Sequence, residues 1–380
     1  MNAAEKNSAV ARAFDRRGLL AAFILAAATL LSFLGWPFGE VRPVGERMML
    51  ASRSATTRGA ISDYNAIVAD PRATNAERLA AAIAAAGLAI RADQLPAARR
   101  FYQTAQTLAA PDDGAFQTLT IALAVRLPVD EKLALLTKLL PQLTDAERRR
   151  VAREQYAVAL AAAGRDAEVA KVWESMLAEA TPALRTSIAI QFAQALLRTG
   201  EAERAAAVLA ALHPETAELR ASWQWTQAGV AERLGHRDEA LAWYETVARE
   251  AQNTASLRAE AWLQAATLRL ALDRPAIAAD DVEQAAHLGA NPVQLALRVT
   301  AIAERFNAAD AEAYLSKWEK RFGRDAPAKL LLLKLHGQLA WRRGDRAAAK
   351  ATFTQALALA TEPADREWLR QSLAEVERRR

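Results

Sequence analysis

Four histidines and a few paired carboxylates are the side chains of this chain most able to do chemistry. No histidine is followed four positions later by a second ligand, as a zinc-binding His-Glu-x-x-His helix requires. The pairs Asp112–Asp113 and Asp280–Asp281 are expected at helix starts or exposed faces, where the helix dipole and water favour acids. There is no cysteine, no glycine-rich phosphate loop and no Gly-x-Ser-x-Gly elbow. The sequence therefore predicts no catalysis, metal or cofactor. The histidines are His213, His236, His287 and His336.

The distribution of charge argues against nucleic-acid binding. The chain holds 49 Lys and Arg against 44 Asp and Glu, a net charge of +5 with a pI near 9.6. Residues 1–59 carry eight basic and four acidic residues, which leaves 41 basic against 40 acidic in the other 321. A phosphate-binding surface should instead form a basic stripe. A helical-repeat nucleic-acid binder is therefore kept only as the weakest functional alternative.

A phrase that recurs along the chain indicates the fold. A turn residue is followed by a small or apolar residue at the fifth position, a large one at the ninth and a small or apolar one at the twelfth. Successive glycine turns lie 36 and 35 residues apart, and the last gap of 109 residues is three units of about 36. The two missing turns fall at Asp273 and Asn307. The copies begin at Asp93, Gly164, Gly200, Gly235 and Gly344.

The spacing of the phrase has a physical reason. Separations of three and four return to one side of a helix, so the three positions share a face. Small residues let two helices approach, and the large one fills the gap between hairpins. The phrase resembles the second helix of the tetratricopeptide repeat family over roughly residues 60–363. In the first helix only Trp262 matches the family's Trp, and its Tyr is replaced. The replacements are Leu160, Leu196, Ala231 and Ala340.

This resemblance implies an all-α fold, a right-handed superhelical solenoid of about eight helix-turn-helix hairpins. One hairpin lacks the motif and is placed by position, with its turn near Pro128. The solenoid is expected over residues 60–363 and a capping helix over 364–380. The apolar side of that last helix carries Trp368, Leu369, Leu373 and Val376.

The N-terminal part holds a segment that can span a bilayer. Residues 18–39 carry no charge over 22 residues. As a helix they extend about 33 Å, enough for a hydrocarbon core of about 30 Å. The alternatives are a cleaved signal peptide, a twin-arginine export signal at Arg16–Arg17 and a buried core helix. We predict one transmembrane helix over 18–39 ahead of the solenoid, a cytosolic tail over 1–17 and a juxtamembrane segment over 40–59.

The orientation of this span is not decided by charge. Four basic residues lie before it and four in the twenty residues after it. Arg16 and Arg17 abut the span, and a long C-terminal domain translocates largely regardless of charge. The lack of cysteine is compatible with an oxidising compartment. We therefore predict a single-pass protein of the bacterial inner membrane with a periplasmic solenoid, touching the lipid bilayer through residues 18–39.

Tetratricopeptide solenoids bind other proteins, usually on the concave face lined by the first helix of each hairpin. Counting back from each turn, the resemblance places a mixture of aromatic, basic, acidic and amide side chains there. We expect any groove in the C-terminal half, where it would hold a peptide or helix of a partner. The alternative for Trp225 and Trp341 is a packing role. The full set is Gln194, Arg198, Trp225, Glu232, Arg233, Thr267, Glu304, Arg305, Lys334, Gln338, Trp341 and Arg342.

The function that this resemblance implies is a scaffold for protein–protein interaction. With the predicted anchor, we expect it to assemble a complex of the bacterial envelope, for exopolysaccharide export, cytochrome maturation or translocon quality control. The alternative is a chaperone-like holdase for exported client proteins. The sequence selects neither one of these complexes nor an oligomeric state.

Overall fold

A computed structural model gives the structure of residues 43–54, 56–323 and 325–378. Over these ranges the chain forms nineteen α-helices and one 3₁₀ turn. The described residues divide into two compact units, one that ends at Val172 and one that begins at Trp173, with the boundary inside one helix. The expected all-α class is confirmed for the described part of the chain.

The first unit opens with two helices and continues as helical hairpins. A capping box starts the third helix, where the Thr74 hydroxyl accepts from the Glu77 backbone N–H and the Glu77 carboxylate accepts from that of Thr74. The helix Asn75–Arg91 packs on the helix Leu95–Leu108, and the helix Gly114–Arg126 packs on the helix Val129–Leu139. The helices are α1 (Val44–Ser52), α2 (Thr57–Val68), α3 (Asn75–Arg91), α4 (Leu95–Leu108), α5 (Gly114–Arg126), α6 (Val129–Leu139), the 3₁₀ turn (Leu140–Gln142), α7 (Ala146–Ala162) and α8 (Asp166–Ala178).

The second unit, which starts within α8, repeats the same arrangement. The helices that begin at Pro182, Ala217, Ala255, Pro292 and Ala326 each pack against the helix that follows them in the chain. The last described helix packs on the helix before it. Among the described residues, seven successive pairs from α3 to α18 are in contact, all but that of α7 with α8; the predicted number is about eight. The helices are α9 (Pro182–Thr199), α10 (Ala202–Ala210), α11 (Ala217–Arg233), α12 (Arg237–Arg249), α13 (Ala255–Ala271), α14 (Pro275–His287), α15 (Pro292–Ala303), α16 (Ala308–Phe322), α17 (Ala326–Arg342), α18 (Arg346–Leu359) and α19 (Pro363–Arg378).

The predicted turns are confirmed by their backbone geometry. Gly235 and Gly344 have φ values of +82° and +80°, in the left-handed region that glycine adopts without a Cβ penalty. Asp93 and Asp273 adopt the same region with φ values of 56° and 58°, which a short polar side chain tolerates. Asn307 is the N-cap residue of α16.

The three positions that follow each turn form the contact between the two helices of a hairpin. Ala349, Phe353 and Ala356 are 0%, 2% and 0% exposed. Ala240, Tyr244 and Val247 occupy the equivalent positions of α12 and are also buried. The predicted packing face of the second helix is therefore confirmed in these two hairpins. The side of the first helix that faces away from this contact is called its free side below.

Helix α19 covers the end of the last hairpin. Leu369 and Val376 are buried in a cluster with residues of α17 and α18. The Trp368 ring meets the Phe353 ring edge-on at 5.8 Å. Helix α1 lies inside the segment 40–59. The limits 60–363 and 364–380 for solenoid and cap stay predictions, as does the right-handed superhelical twist.

The predicted localisation is wrong for the part of the chain that the structure describes. No helix there is long and apolar enough to cross a membrane. The longest, α9, has 18 residues and carries Arg185 and Arg198. Residues 18–39, on which the transmembrane helix was predicted, lie outside the described residues, as do residues 1–17. Bilayer contact, a single-pass inner-membrane location and a periplasmic solenoid are therefore withdrawn.

Two glycines differ in how closely another helix approaches them. A Cβ at Gly337 of α17 would lie 2.4 Å from Cε1 of the buried Phe353 ring, whereas a Cβ at Gly87 of α3 would meet only the tip of Arg91, at 3.7 Å. Leucine gains the same helix propensity over glycine at both sites, roughly 0.5 to 1 kcal/mol. At Gly337 overpacking of about 1 to 3 kcal/mol or more opposes that gain.

We therefore expect Gly337→Leu to lower the free energy of unfolding of the full chain and Gly87→Leu to raise it slightly. Urea denaturation followed by circular dichroism measures both. Because the propensity gain is common to the two variants, their difference reports packing alone. Equal midpoints would show that α17 and α18 do not approach at Gly337 as described.

Candidate functional site

The free side of the first helices in the second unit contains a groove beside Trp225. Helices α9 and α11, α13 and α15, and α15 and α17 pack side by side, whereas among the described residues the backbones of α11 and α13 do not approach each other as closely. The opening between them has a volume of about 360 Å³. We call it the Trp225 groove. It is lined by Ala217, Glu218, Ala221, Ser222, Trp225, Gln252, Asn253, Thr254 and Leu257.

Trp225 is positioned by contacts on its other side. Its ring meets the Tyr244 ring of α12 edge-on, with centroids 5.2 Å apart. The side chain is half-buried and packs against two apolar clusters around α12 and α13. One part of the indole thus packs in the hairpin and the rest lines the groove, while the assignment of Trp225 to a partner-binding surface stays a prediction. The hydroxyl of Tyr244 lies 3.4 Å from the Glu232 carboxylate. Burial of the tyrosine, and after it the negative charge of Glu232, raise the pKa of Tyr244.

Several of the predicted residues are exposed at the far ends of the first helices. Arg233 and Arg342 end α11 and α17, and neither has an ion-pair partner among the described residues. Arg305 lies 3.6 Å from Asp273. Arg198, Glu232 and Glu304 are exposed as well. Arg233 is eight residues beyond Trp225, so about 12 Å of helix separates these two. The structure does not bring the arginines into the Trp225 groove.

The remaining predicted residues are engaged within the fold. Gln194 of α9 donates to the Thr226 hydroxyl of α11 at 3.0 Å and so links two first helices. Lys334 pairs with Asp365 of α19 at 2.8 Å. Thr267 donates to a carbonyl of its own helix. Gln338 and Trp341 are half-buried on α17, and Trp341 packs against the last core cluster. Their assignment to a binding surface stays a prediction.

A buried ionic network was missed by the sequence analysis. Arg269 of α13 donates to Asp281 of α14 and to Glu245 of α12, so that one guanidinium joins three helices. The side chains of Arg269 and Asp281 are 11% and 3% exposed. Glu245 also pairs with Arg249 at 2.6 Å. The prediction that the pair Asp280–Asp281 lies on an exposed face is therefore wrong for Asp281.

The signal for this network was present in the repeat. Arg269 lies four residues before its turn, where the other hairpins carry leucine or alanine. Asp281 lies eight residues after that turn, where the equivalent positions are mostly large and apolar. The repeated phrase defines the residue type at the ninth position after the turn and does not define the eighth, where Asp281 lies. The equivalents of Asp281 are Phe101, Val172, Val208, Trp243 and Thr352.

Burial raises the pKa of Asp281 to about 6, against the opposing effect of Arg269 beside it. The folded chain therefore holds a proton on Asp281 at pH values where the unfolded chain, with an ordinary value of 3.8, has released it. The contribution of this group to the free energy of unfolding falls as the pH rises from about 4 to about 6. At neutral pH the carboxylate depends on Arg269 for compensation.

A second groove lies in the first unit, where the sequence predicted none. It has a volume of about 710 Å³ and is lined by residues of α1, α2, α3 and α5 and of the segment between α1 and α2. The expectation that any groove lies in the C-terminal half is therefore wrong. In the described part of the chain no group of three or more His, Asp or Glu side chains is arranged to hold a metal ion.

No protein-family model matches the chain, and no curated protein sequence matches it. A tetratricopeptide repeat protein from Parabacteroides merdae is similar in structure, with 13% identity, a TM-score of 0.48, and coverage of 79% of this chain and 98% of that one. The apo form of the quorum sensor NprR from B. thuringiensis has 12% identity, a TM-score of 0.47, and coverage of 91% and 94%. The P58(IPK) tetratricopeptide repeat domain has 14% identity, a TM-score of 0.25, and coverage of 88% and 97%.

The helical hairpins themselves define the class of repeat. Their period of about 36 residues, the left-handed turn and the buried face of the second helix are those of a tetratricopeptide-type repeat. The predicted resemblance is therefore confirmed as a fold.

The buried network gives a pH-dependent prediction. Arg269→Met leaves Asp281 as an uncompensated buried carboxylate, and we expect the free energy of unfolding to fall by about 3 to 5 kcal/mol at pH 7. The loss should shrink at pH 5, because Asp281 there carries a proton. Urea unfolding of the full chain at the two pH values measures the difference.

Two variants complete this experiment. Arg274→Met removes an exposed arginine that lies 3.8 Å from Asp238, and its effect should stay within about 0.5 kcal/mol at both pH values. Arg269→Met combined with Asp281→Leu should recover most of the loss. A cost that is the same at pH 5 and pH 7 would show that Asp281 is not the group left uncompensated.

Proposed function

We propose that this chain is a protein-binding scaffold, without catalytic activity of its own, that holds a segment of a partner protein on the first-helix face of its second unit. The observation that carries the proposal is the Trp225 groove. Its wall combines an aromatic ring with aliphatic carbon from Ala221 and Leu257, and polar groups such as Gln252 and Thr254 stand at its edge. Apolar clefts with a few convergent polar groups are typical binding sites.

The chemistry of the groove suits one large apolar side chain of a partner. Such a side chain would bury the free part of the Trp225 ring, and tryptophan and arginine are the residues in which interface energy concentrates. Arg233 and Arg342 lie beyond the groove with no acidic partner among the described residues. They are available for carboxylates elsewhere on the same partner.

The finer expectation concerned a bacterial envelope complex. It depended on a membrane anchor over residues 18–39, and no described residue supports it. We therefore propose the scaffold role without assigning it to exopolysaccharide export, cytochrome maturation or translocon quality control. The holdase alternative differs in the number of partners: a scaffold captures one protein in fixed stoichiometry, and a holdase captures many.

Charge reversal of the two free arginines tests the proposal. Arg233→Glu together with Arg342→Glu should remove the captured partner from crosslinked complexes of the full chain, since each such anchor contributes about 2 kcal/mol or more. The fold should be unaffected because both side chains are exposed. Mass spectrometry of the crosslinked material counts partners, and circular dichroism monitors the fold.

The matched control is Arg237→Glu with Arg346→Glu. Both residues are exposed in the first turn of second helices, α12 and α18. Arg204 is unsuitable as a control because it pairs with Glu174 and Glu201. Loss of capture from the control pair alone would place the binding surface on the second helices, and many partners at substoichiometric yield would favour the holdase.

A further inference from the structure

The larger of the two grooves described above lies in the first unit and has no assigned role. Helices α1, α2, α3 and α5 and the segment between α1 and α2 line it, and three of these helices carry lining residues at helical spacing: Ile83, Gly87 and Arg91 on α3, Thr57, Ala60 and Tyr64 on α2, and Thr118 and Ala122 on α5. The opening of about 710 Å³ lies within the range of known binding clefts, roughly 300 to 1,000 Å³. We call it the α3 groove.

The floor of the α3 groove is apolar and built from small residues. Ala84 and Gly87 of α3 and Ala122 of α5 leave the helix backbones close to the surface. A Cβ on Gly87 would touch nothing but the end of the Arg91 side chain, at 3.7 Å. No described residue other than Arg91 therefore fills the space above Gly87, and another backbone or a bulky side chain can enter it.

One charge faces this floor. Arg91 is the charged residue among the described residues that line the groove, and its guanidinium reaches back to within van der Waals distance of the Gly87 position. The nearby Asp93 lies 4.0 Å from Arg126 instead. Arg91 has no ion-pair partner among the described residues. An apolar floor thus carries a single uncompensated cation.

We propose that the α3 groove binds an amphipathic helix of a partner protein whose apolar face is bordered by a carboxylate side chain. The lining residues at helical spacing on these helices suit the ridges of a docked helix. The small floor residues permit close approach, and the carboxylate pairs with Arg91. This site lies in the first unit and does not depend on the function proposed for the second.

Hydroxyl groups in the lining complete the recognition. Ser52, Ser54 and Thr57 line the groove, and their hydroxyl groups can bond polar side chains of the partner. None of the described residues that line the groove is acidic, so none repels the carboxylate. A basic helix of the same shape would place two cations together, so charge decides between partners of equal hydrophobicity.

The test uses two synthetic peptides of about 14 residues, four helical turns. Both carry leucine and alanine on one face; one has glutamate beside that face and the other has lysine. Fluorescence anisotropy with the full chain should show that the glutamate peptide binds about tenfold or more tightly than the lysine peptide. Arg91→Glu should reverse this preference, and Arg237→Glu in the second unit should leave it unchanged.

A blocking variant locates the site. Gly87→Phe fills the open space without a clash, so binding of the glutamate peptide should fall at least tenfold while the unfolding midpoint is retained. Thr107→Phe adds the same ring at an exposed position of α4 and should have no effect. Binding that survives Gly87→Phe, or equal affinity for both peptides, overturns the proposal. Binding of dodecanoate alone, blocked by Gly87→Phe, would overturn it in favour of a small anionic amphiphile.

Discussion

Close approach between the paired helices is the constraint on which each hairpin depends. At Gly337 the Phe353 ring lies where a Cβ would stand, and Ala349 and Ala356 on either side of that ring are completely buried. A larger residue at any of these positions separates the helices by more than the buried ring can fill. The left-handed turn then fixes how far along the second helix the contact begins. Turn and small residues together set the period that the sequence repeats.

The ionic network of α12, α13 and α14 departs from this rule. A repeat held by small apolar contacts gains nothing in hydrophobic burial from Arg269 and Asp281, and burial disfavours the ionised form of Asp281. Buried ion pairs are weak evidence for stability but can fix a register, since each charge has one acceptable position. Helices of similar alanine-rich surface can slide by a turn with little loss of contact. The bonds of Arg269 to two neighbouring helices oppose that sliding.

The turns and the buried faces could be predicted from the sequence because they recur at a fixed period. The burial of a residue that departs from the repeat could not be predicted in this way. Gly235, Gly344 and Asp273 were located because a fixed distance separates each turn from its buried face, and the hairpin near Pro128 followed from the count alone. Asp281 was misplaced because an acid at an apolar position looks like an exposed one until its partner is known. The partner, Arg269, is twelve residues away on another helix, and periodicity does not pair individual charges.

The grooves were hard to predict for a related reason. Polar and aromatic residues drew attention to the second unit, yet Lys334 and Gln194 are engaged with neighbouring helices and do not line a cleft. The larger of the two openings lies over Gly87, where the residues of α3 in the lining are mostly alanine, isoleucine and glycine. A cleft forms where side chains do not fill the space between helices. Small residues on adjacent first helices leave the largest unfilled space. In a repeat whose paired helices need alanine and glycine for contact, the same residue types on the free side produce a binding floor, and the charge beside that floor then selects the partner.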